Sequence, residues 1–366
     1  MPSFAAFGND LYTGRRSIDF VGRRRLWYLI AAVLMIISIA AVGINKLNPG
    51  IEFRGGTEFR ISGTAITSDT VGAEAVTSVV PGARPLVTKL GSDSIRVQSD
   101  KITDAELTSV QNALAKAYQV PPESVSRSFV GPTWGSDVTR QALIGLFVFL
   151  ALVALVIAVY FRTWTMAVSG LVALIHDLIL TVGVYALVGF EVTPASVIGF
   201  LTILGYSLYD TVVVFDKVRE NTEFIATSSK RTFGEAANLA VNQTLVRSIN
   251  TSVVALLPVA SILFIGAYLL GAGTLKDIAL SLFVGIAAGT YSSIFIATPL
   301  LVQLREREPE LKAQAERVRR RRAEGPRGEV AEPVAAGVVA SGDPLTSEPS
   351  GEVARGQRQQ PRRKGR

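Results

Sequence analysis

Two ionisable residues stand in or beside stretches otherwise suited to a membrane interior: Asp210 within Val197–Phe215, and Arg247 at the head of Ser248–Tyr268. An ionisable group at membrane depth is expensive unless paired or hydrated, so by default it reads as part of an ion pathway or relay. A carboxylate beside a guanidinium keeps its charge, whereas one buried without such a partner takes up a proton. A site that alternates between these settings binds and releases a proton. The alternative is a static clamp between two helices, which carries the cost of desolvation for no functional return. His176 and Asp177 lie near mid-depth in Leu174-Ile175-His176-Asp177-Leu178, and histidine titrates near neutrality. Neighbours on a helix point about 100° apart, so at most one of the two shares the face that meets Asp210. A proton-path role for either stands against interhelical hydrogen bonds that fix packing.

The elements that must position these groups are long and apolar. Of 366 residues, 49% are hydrophobic and 18% charged, the balance of a membrane protein. Six runs are long enough to cross a hydrocarbon core: Trp27–Ile44, Ala142–Phe161, Met166–Val188, Val197–Phe215, Ser248–Tyr268 and Ile278–Leu301. The first follows Arg23, Arg24 and Arg25 but is long for a signal-peptide core and has no A-x-A site after it, so it reads as an uncleaved anchor. Arg15, Arg16, Arg162, Lys217, Arg219, Lys230 and Arg231 all fall on one side, while the turn Gly189–Thr193 has no basic residue and Gly271–Asp277 only Lys276. Both termini are therefore expected in the cytoplasm of a multi-pass plasma-membrane protein. The expected division is an N-terminal segment 1–25, a first span 26–45, an extracytoplasmic domain 46–140, a bundle of spans two to six over 141–302, and a disordered basic tail 303–366.

Depth allows the two charges to meet. Counted from Pro194, Asp210 lies about 24 Å along its span, and Arg247 lies about 30 Å from Tyr268 on the antiparallel one. A guanidinium leans several ångström along its helix.

Between the first two spans the chain alternates as Thr57–Ser62 strand, Asp69–Val80 helix, Arg84–Leu90 and Ser94–Gln98 strands, Thr103–Tyr118 helix and Ser124–Val130 strand. That order, βαββαβ, predicts a ferredoxin-like domain with two helices on one face of a four-stranded antiparallel sheet. Asp104 and Glu106 suit the dipole of the second helix's first turn. The absence of cysteine means such a domain folds without disulfides, and excludes thiolate metal or haem attachment.

From Arg305 onward fifteen Lys or Arg face ten Asp or Glu, which is +5 of the chain's +7, in a segment rich in Pro, Gly, Ala and Ser. Such a tail buries too little apolar surface to fold. Arg317 and Arg319 to Arg322 read as a positive-inside block that touches anionic lipid, with ribosome or nucleic-acid binding as the other reading. Gly199 and Gly205 in the fourth span, and Gly285 and Gly289 in the sixth, permit close helix approach. Gly55 and Gly56, where the domain leaves the first span, serve as a hinge or a tight turn. No G-x-x-x-x-G-K-[ST] or H-E-x-x-H motif is present and no paired catalytic carboxylates or triad is evident, so the chain does not read as an enzyme.

Four segments carry a family resemblance. Leu204-Gly205-Tyr206-Ser207-Leu208-Tyr209-Asp210-Thr211-Val212-Val213-Val214-Phe215-Asp216-Lys217-Val218-Arg219-Glu220-Asn221 resembles the fourth-span signature of the SecD/SecF protein-export family. Gly50-Ile51-Glu52-Phe53-Arg54-Gly55-Gly56-Thr57 is similar to its G-x-D-F-x-G-G-T motif. Asn242-Gln243-Thr244-Leu245-Val246-Arg247-Ser248-Ile249-Asn250-Thr251-Ser252 is similar to its fifth-span entry, and Gly285 to Ser293, read G-x-x-x-G-T-Y-S-S, to its sixth. Tyr209, Glu52 and Lys217 stand where members commonly carry Asn, Asp and Arg. The resemblance spans roughly residues 20 to 305 and implies half of a resistance-nodulation-division assembly, with Asp210 as proton carrier and Arg247 as its charge partner. It further implies a SecD partner, a SecYEG channel, a SecA motor, a YajC-type subunit and a preprotein substrate. The energy source would be a proton gradient, with sodium the alternative ion and no bound cofactor. A six-span half of a drug or lipid exporter, and a passive translocon scaffold, are the competing readings.

Overall fold

In the computed structural model, which describes residues 4–90, 93–99, 102–269 and 273–324, the long apolar runs are helices. In chain order the elements begin with α1 (Phe4–Tyr12), α2 (Arg24–Asn45), β1 (Asn48–Pro49), α3 (Ile51–Arg54), β2 (Gly56–Ser62), α4 (Asp69–Val79), β3 (Leu86–Leu90), β4 (Ser94–Ser99), α5 (Leu107–Ala117) and β5 (Val125–Val130). They continue with α6 (Pro132–Phe161), α7 (Trp164–Val188), β6 (Glu191–Val192), α8 (Pro194–Thr222), α9 (Phe233–Ser261), α10 (Gly273–Ser292), α11 (Thr298–Arg305) and α12 (Pro309–Ala323). Six candidate spans are long and apolar enough to cross a membrane, the sixth running from α10 into α11. The protein is a polytopic α-helical membrane protein.

Several helices start earlier than hydrophobicity alone suggests, because polar residues extend them. A capping box in which Thr232 and Glu235 satisfy each other's backbone N–H groups starts α9 at Phe233, fifteen residues before its apolar run begins. Arg247 is thus mid-helix, not at a helix end. Near its far end α9 contains Pro258, which cannot donate to the helical ladder, and the stretch Ile262–Leu269 that follows is π-helical. A second π-helical stretch, Ser293–Ala297, joins α10 to α11.

Residues 56–130 follow a βαββαβ order and form a four-stranded antiparallel sheet ordered β3-β4-β2-β5. Phe59 pairs with Val97 and Ile61 with Ile95, and these four side chains share a core with Val76 of α4 and with Val110 and Leu114 of α5. The second helix begins later than its composition suggests: Glu106 Oε2 accepts from the backbone N–H and hydroxyl of Thr103 at 2.9 and 2.7 Å, closing a turn over 103–106. Those bonds hold the Glu106 carboxyl below the usual range. The domain meets the bundle through β1, whose Asn48 and Pro49 pair in parallel with Glu191 and Val192 of β6, in the turn between α7 and α8.

The termini side of the bundle differs from expectation. The N-terminal segment contains α1, and Asn242 clasps residue 18 by accepting from its N–H at 2.8 Å and donating to its carbonyl at 2.9 Å. The expected disorder from residue 303 is wrong for the first part of the tail: α11 runs to Arg305 and α12 is a docked helix. Leu311, Gln314 and Val318, at helical spacing, are buried; Gln314 Nε2 donates to the carbonyls of Ser228 and Arg231 at 3.0 and 2.7 Å, and Arg322 forks onto Glu235 at 2.8 Å. An average over composition hides three buried positions among many charges. The remainder of the tail lies outside the described residues.

Candidate functional site

Asp210 sits on α8 and is 5% exposed. Its two oxygens accept from different helices: Oδ1 from the Ser248 hydroxyl of α9 at 2.7 Å, and Oδ2 from the Ser293 hydroxyl at the start of the π stretch at 2.5 Å. Asp177 on α7 is fully buried and is also held by hydroxyls from two helices, here both on one oxygen: its Oδ2 accepts from Ser207 of α8 at 2.5 Å and Ser292 of α10 at 2.8 Å. His176 Nδ1 lies 3.2 Å from the other oxygen, and His176 Nε2 has no hydrogen-bond partner among the described residues. Thr290 Oγ1 donates to Ser252 Oγ at 2.7 Å, a further tie between α10 and α9.

A serine hydroxyl both donates and accepts, so it can donate to an ionised carboxylate or turn to accept from a protonated one. The arrangement can therefore host either protonation state of each aspartate without leaving a buried oxygen unsatisfied. Neither neutral partner would need to move away, as a guanidinium would.

The expected pairing of Asp210 with Arg247 is not formed. Arg247 is exposed and donates to the Tyr209 hydroxyl at 3.4 Å. The reason is rotational: Ser248 faces Asp210, and the preceding residue points about 100° away. Arg247 lines a cavity of about 550 Å³ together with Tyr12, Val212, Asp216, Lys217 and Glu220, so its charge belongs to a vestibule of mixed polar and apolar lining beside α1. Asp177, by contrast, is held by Ser292, the chain neighbour of the Ser293 that holds Asp210, and His176 reaches that centre through Asp177.

Three of the four packing glycines lie in the seam between α8 and α10. A Cβ on Gly199 would strike the Ser281 hydroxyl, one on Gly285 would strike Ile203, and one on Gly289 would come 2.8 Å from Ser207 Cβ. Gly205 does not belong with them, since nothing lies within 4 Å of a Cβ there. Gly183 was not anticipated: it accommodates Ser38 of α2 against α7. Gly55 has φ 78° and caps α3, and Gly56, at φ 139° and opening β2, places its backbone against the Ser99 carbonyl, so both positions use backbone that favours glycine.

The serines were missed by reading charges alone, although Ser207, Ser248, Ser292 and Ser293 all lie inside the segments that carried the family resemblance. In a helix a hydroxyl usually bonds its own backbone, so its type alone does not mark it as a ligand. On the domain side Glu52 follows β1, and its Oε2 is buried without a hydrogen-bond partner among the described residues. Burial, with Glu191 and Glu58 adding to it, pushes the Glu52 carboxyl above the usual range. Among the described residues no group of three or more His, Asp or Glu is arranged to hold a metal ion.

Residues 109–307 match the family model described as protein export membrane protein SecD/SecF, C-terminal, and residues 40–63 match the SecD/SecF GG motif. The chain is 46% identical over 372 residues to protein translocase subunit SecF of Streptomyces coelicolor, covering 100% of this chain and 97% of that one. It is 44% identical over 335 residues to the subunit of the same name from Mycobacterium tuberculosis, covering 87% and 74%. Among solved structures it is similar to SecDF, a translocon-associated membrane protein from Thermus thermophilus, at 30% identity and a TM-score of 0.71 over 80% of this chain. It spans 39% of that SecDF chain.

Proposed function

The chain belongs to the SecD/SecF family of protein-export membrane proteins, and from that membership we propose that it uses the proton gradient to help complete preprotein export. It is an accessory component of Sec translocation rather than an enzyme. In this reading both termini and the vestibule of Arg247 face the cytoplasm, and the βαββαβ domain faces outward from the plasma membrane. A SecD partner supplies the other six-span half; the SecDF relatives, in which both names belong to one chain, support this. SecYEG and SecA deliver the preprotein, a YajC-type subunit accompanies the assembly, and the basic tail meets anionic lipid.

The observation that carries the proposal is the Asp210 carboxylate, buried and held by hydroxyls from two neighbouring spans. When the acid is ionised, both hydroxyls donate to it and draw α8, α9 and the sixth span onto one charge. When it takes a proton, one hydroxyl turns to accept and the charge that held the three together is gone. Asp177, held by the neighbouring Ser292, is the second carboxyl of the relay, with His176 behind it. Arg247 acts from the vestibule as a fixed charge at the cytoplasmic mouth, not as a direct partner. One charge crossing the membrane potential yields about 2.3 kcal/mol per 100 mV, enough to bias a two-state equilibrium tens-fold.

The test is preprotein transport into inverted vesicles carrying this chain with its SecD-type partner, with and without a proton gradient, for wild type and Asp210→Asn. Stimulation of wild type alone is the expected result. Equal stimulation of both would mean that the energy enters elsewhere.

A further inference from the structure

The contact between the βαββαβ domain and the bundle is charged, and the relay does not use it. Arg96 Nη2 lies 3.0 Å from Glu191 Oε2 and its Nη1 4.0 Å from Glu58 Oε2. Gln98 Nε2 donates to the other oxygen of Glu191 at 2.8 Å and to Glu58 at 3.0 Å. Arg96 and Gln98 are two apart on β4, so both leave the same face of the sheet. Glu191 thus has both oxygens engaged by the domain, with a side chain only 9% exposed.

What Glu191 is attached to matters as much as what holds it. It stands three residues before Pro194 opens α8. Two residues on, the Thr193 hydroxyl donates to Asp277 Oδ2 on α10 at 3.2 Å. The domain therefore holds the turn that opens α8, and that turn is itself bonded to α10. These are the helices that carry Asp210, Ser207 and Ser292, and they meet closely along a seam in which Ser281, Ile203 and Ser207 seat against Gly199, Gly285 and Gly289, so a shift of one helix is felt by the other. A buried ion pair contributes little net stability over an apolar contact of the same shape, so its use here is better explained by specificity of register.

We propose that Glu191 is a positioning residue that transmits movement of α8 against α10 to the outer domain through Arg96 and Gln98. This rests on the proton-driven reading above. Protonation in the relay changes how α8 and α10 are drawn together, and Glu191 carries that change to β4. Without the Glu191 charge the relay still binds its proton, but the domain no longer follows.

The test measures the ratio of transport with and without a gradient in vesicles carrying the full chain and its partner, for Glu191→Gln, Arg96→Gln, Glu191→Asp and Asp210→Asn. Glu191→Gln and Arg96→Gln are expected to lower the ratio about fivefold or more, the scale of a typical coupling between sites, while assembly with the partner is retained. Glu191→Asp, which keeps a carboxylate in the turn, is expected to restore most of it. A wild-type ratio in Glu191→Gln beside an inactive Asp210→Asn overturns this inference alone. A wild-type ratio in Asp210→Asn overturns the proton-driven reading. Loss of assembly in Glu191→Gln and Glu191→Asp alike makes the contact a static strut and also overturns the inference.

Discussion

Ser292 and Ser293 are neighbours in the chain, yet they bind different carboxylates, Ser292 reaching Asp177 and Ser293 reaching Asp210. They sit where α10 gives way to the π-helical stretch Ser293–Ala297, and π-helical turns recur at functional positions in helices. Through this step one span holds two buried acids on two other spans. The acids are thereby linked mechanically as well as chemically.

Removing one hydroxyl isolates that link. Ser293→Ala leaves Asp210 Oδ2 without its donor, and the unsatisfied buried oxygen is expected to cost about 1–3 kcal/mol. Thermal unfolding of the purified complex in detergent checks the loss. Ser293→Thr, which keeps the hydroxyl, should recover most of it, and equal loss in both variants would point to packing instead.

Arg247 should act through charge and not through its bond to Tyr209. Tyr209→Phe removes an exposed contact of 3.4 Å, worth under about 1 kcal/mol, and should leave gradient-stimulated transport unchanged. Arg247→Lys should retain stimulation and Arg247→Met should lose it, with assembly intact in both. Full stimulation in Arg247→Met would remove the vestibule charge from the scheme.

The glycine seam makes a graded prediction. Gly289→Ala brings a Cβ 2.8 Å from that of Ser207 and should lower stability by about 1–3 kcal/mol, the usual cost of overpacking. Gly205→Ala meets open space, and in a helix interior should stabilise by up to about 1 kcal/mol. Melting temperatures of the two variants should therefore move in opposite directions.

Glu52 sets a pH dependence of known sign. Its carboxyl is raised by burial, so the folded state binds the proton more tightly than the unfolded chain does. Stability from this group is present below the ordinary carboxylate range and declines as pH rises through the window up to the raised value, then stays level. Glu52→Gln should flatten that decline and raise the melting temperature at neutral pH. An unchanged slope would show that Glu52 ionises as freely in the folded state as in the unfolded chain.

The spans are legible in the sequence because length and hydropathy alone determine them, and the alternation over 56–130 is the order of strands and helices found there. Depth counting brought Asp210 level with Arg247 but carried no information on rotation about the helix axis, and one residue decided the contact in favour of Ser248. Asp177 was visible as a charge in an apolar run, whereas Ser207, Ser292 and Ser293 read as ordinary small packing residues until their partners were placed. The helix α12 was invisible for a different reason: its three buried residues are outnumbered by arginines whose partners lie some ninety residues away.

Gly135, near the start of α6, has a final consequence. A Cβ there would come 2.5 Å from the Phe53 carbonyl and 3.3 Å from the Gly55 nitrogen, so the chain entering the domain and the chain leaving it run against each other at α3. The two connections of the domain thus gather into one stalk at α3, next to Gly50, against which Glu191 also lies. Under the coupling proposed above, a shift of Glu191 reaches the sheet close to that stalk.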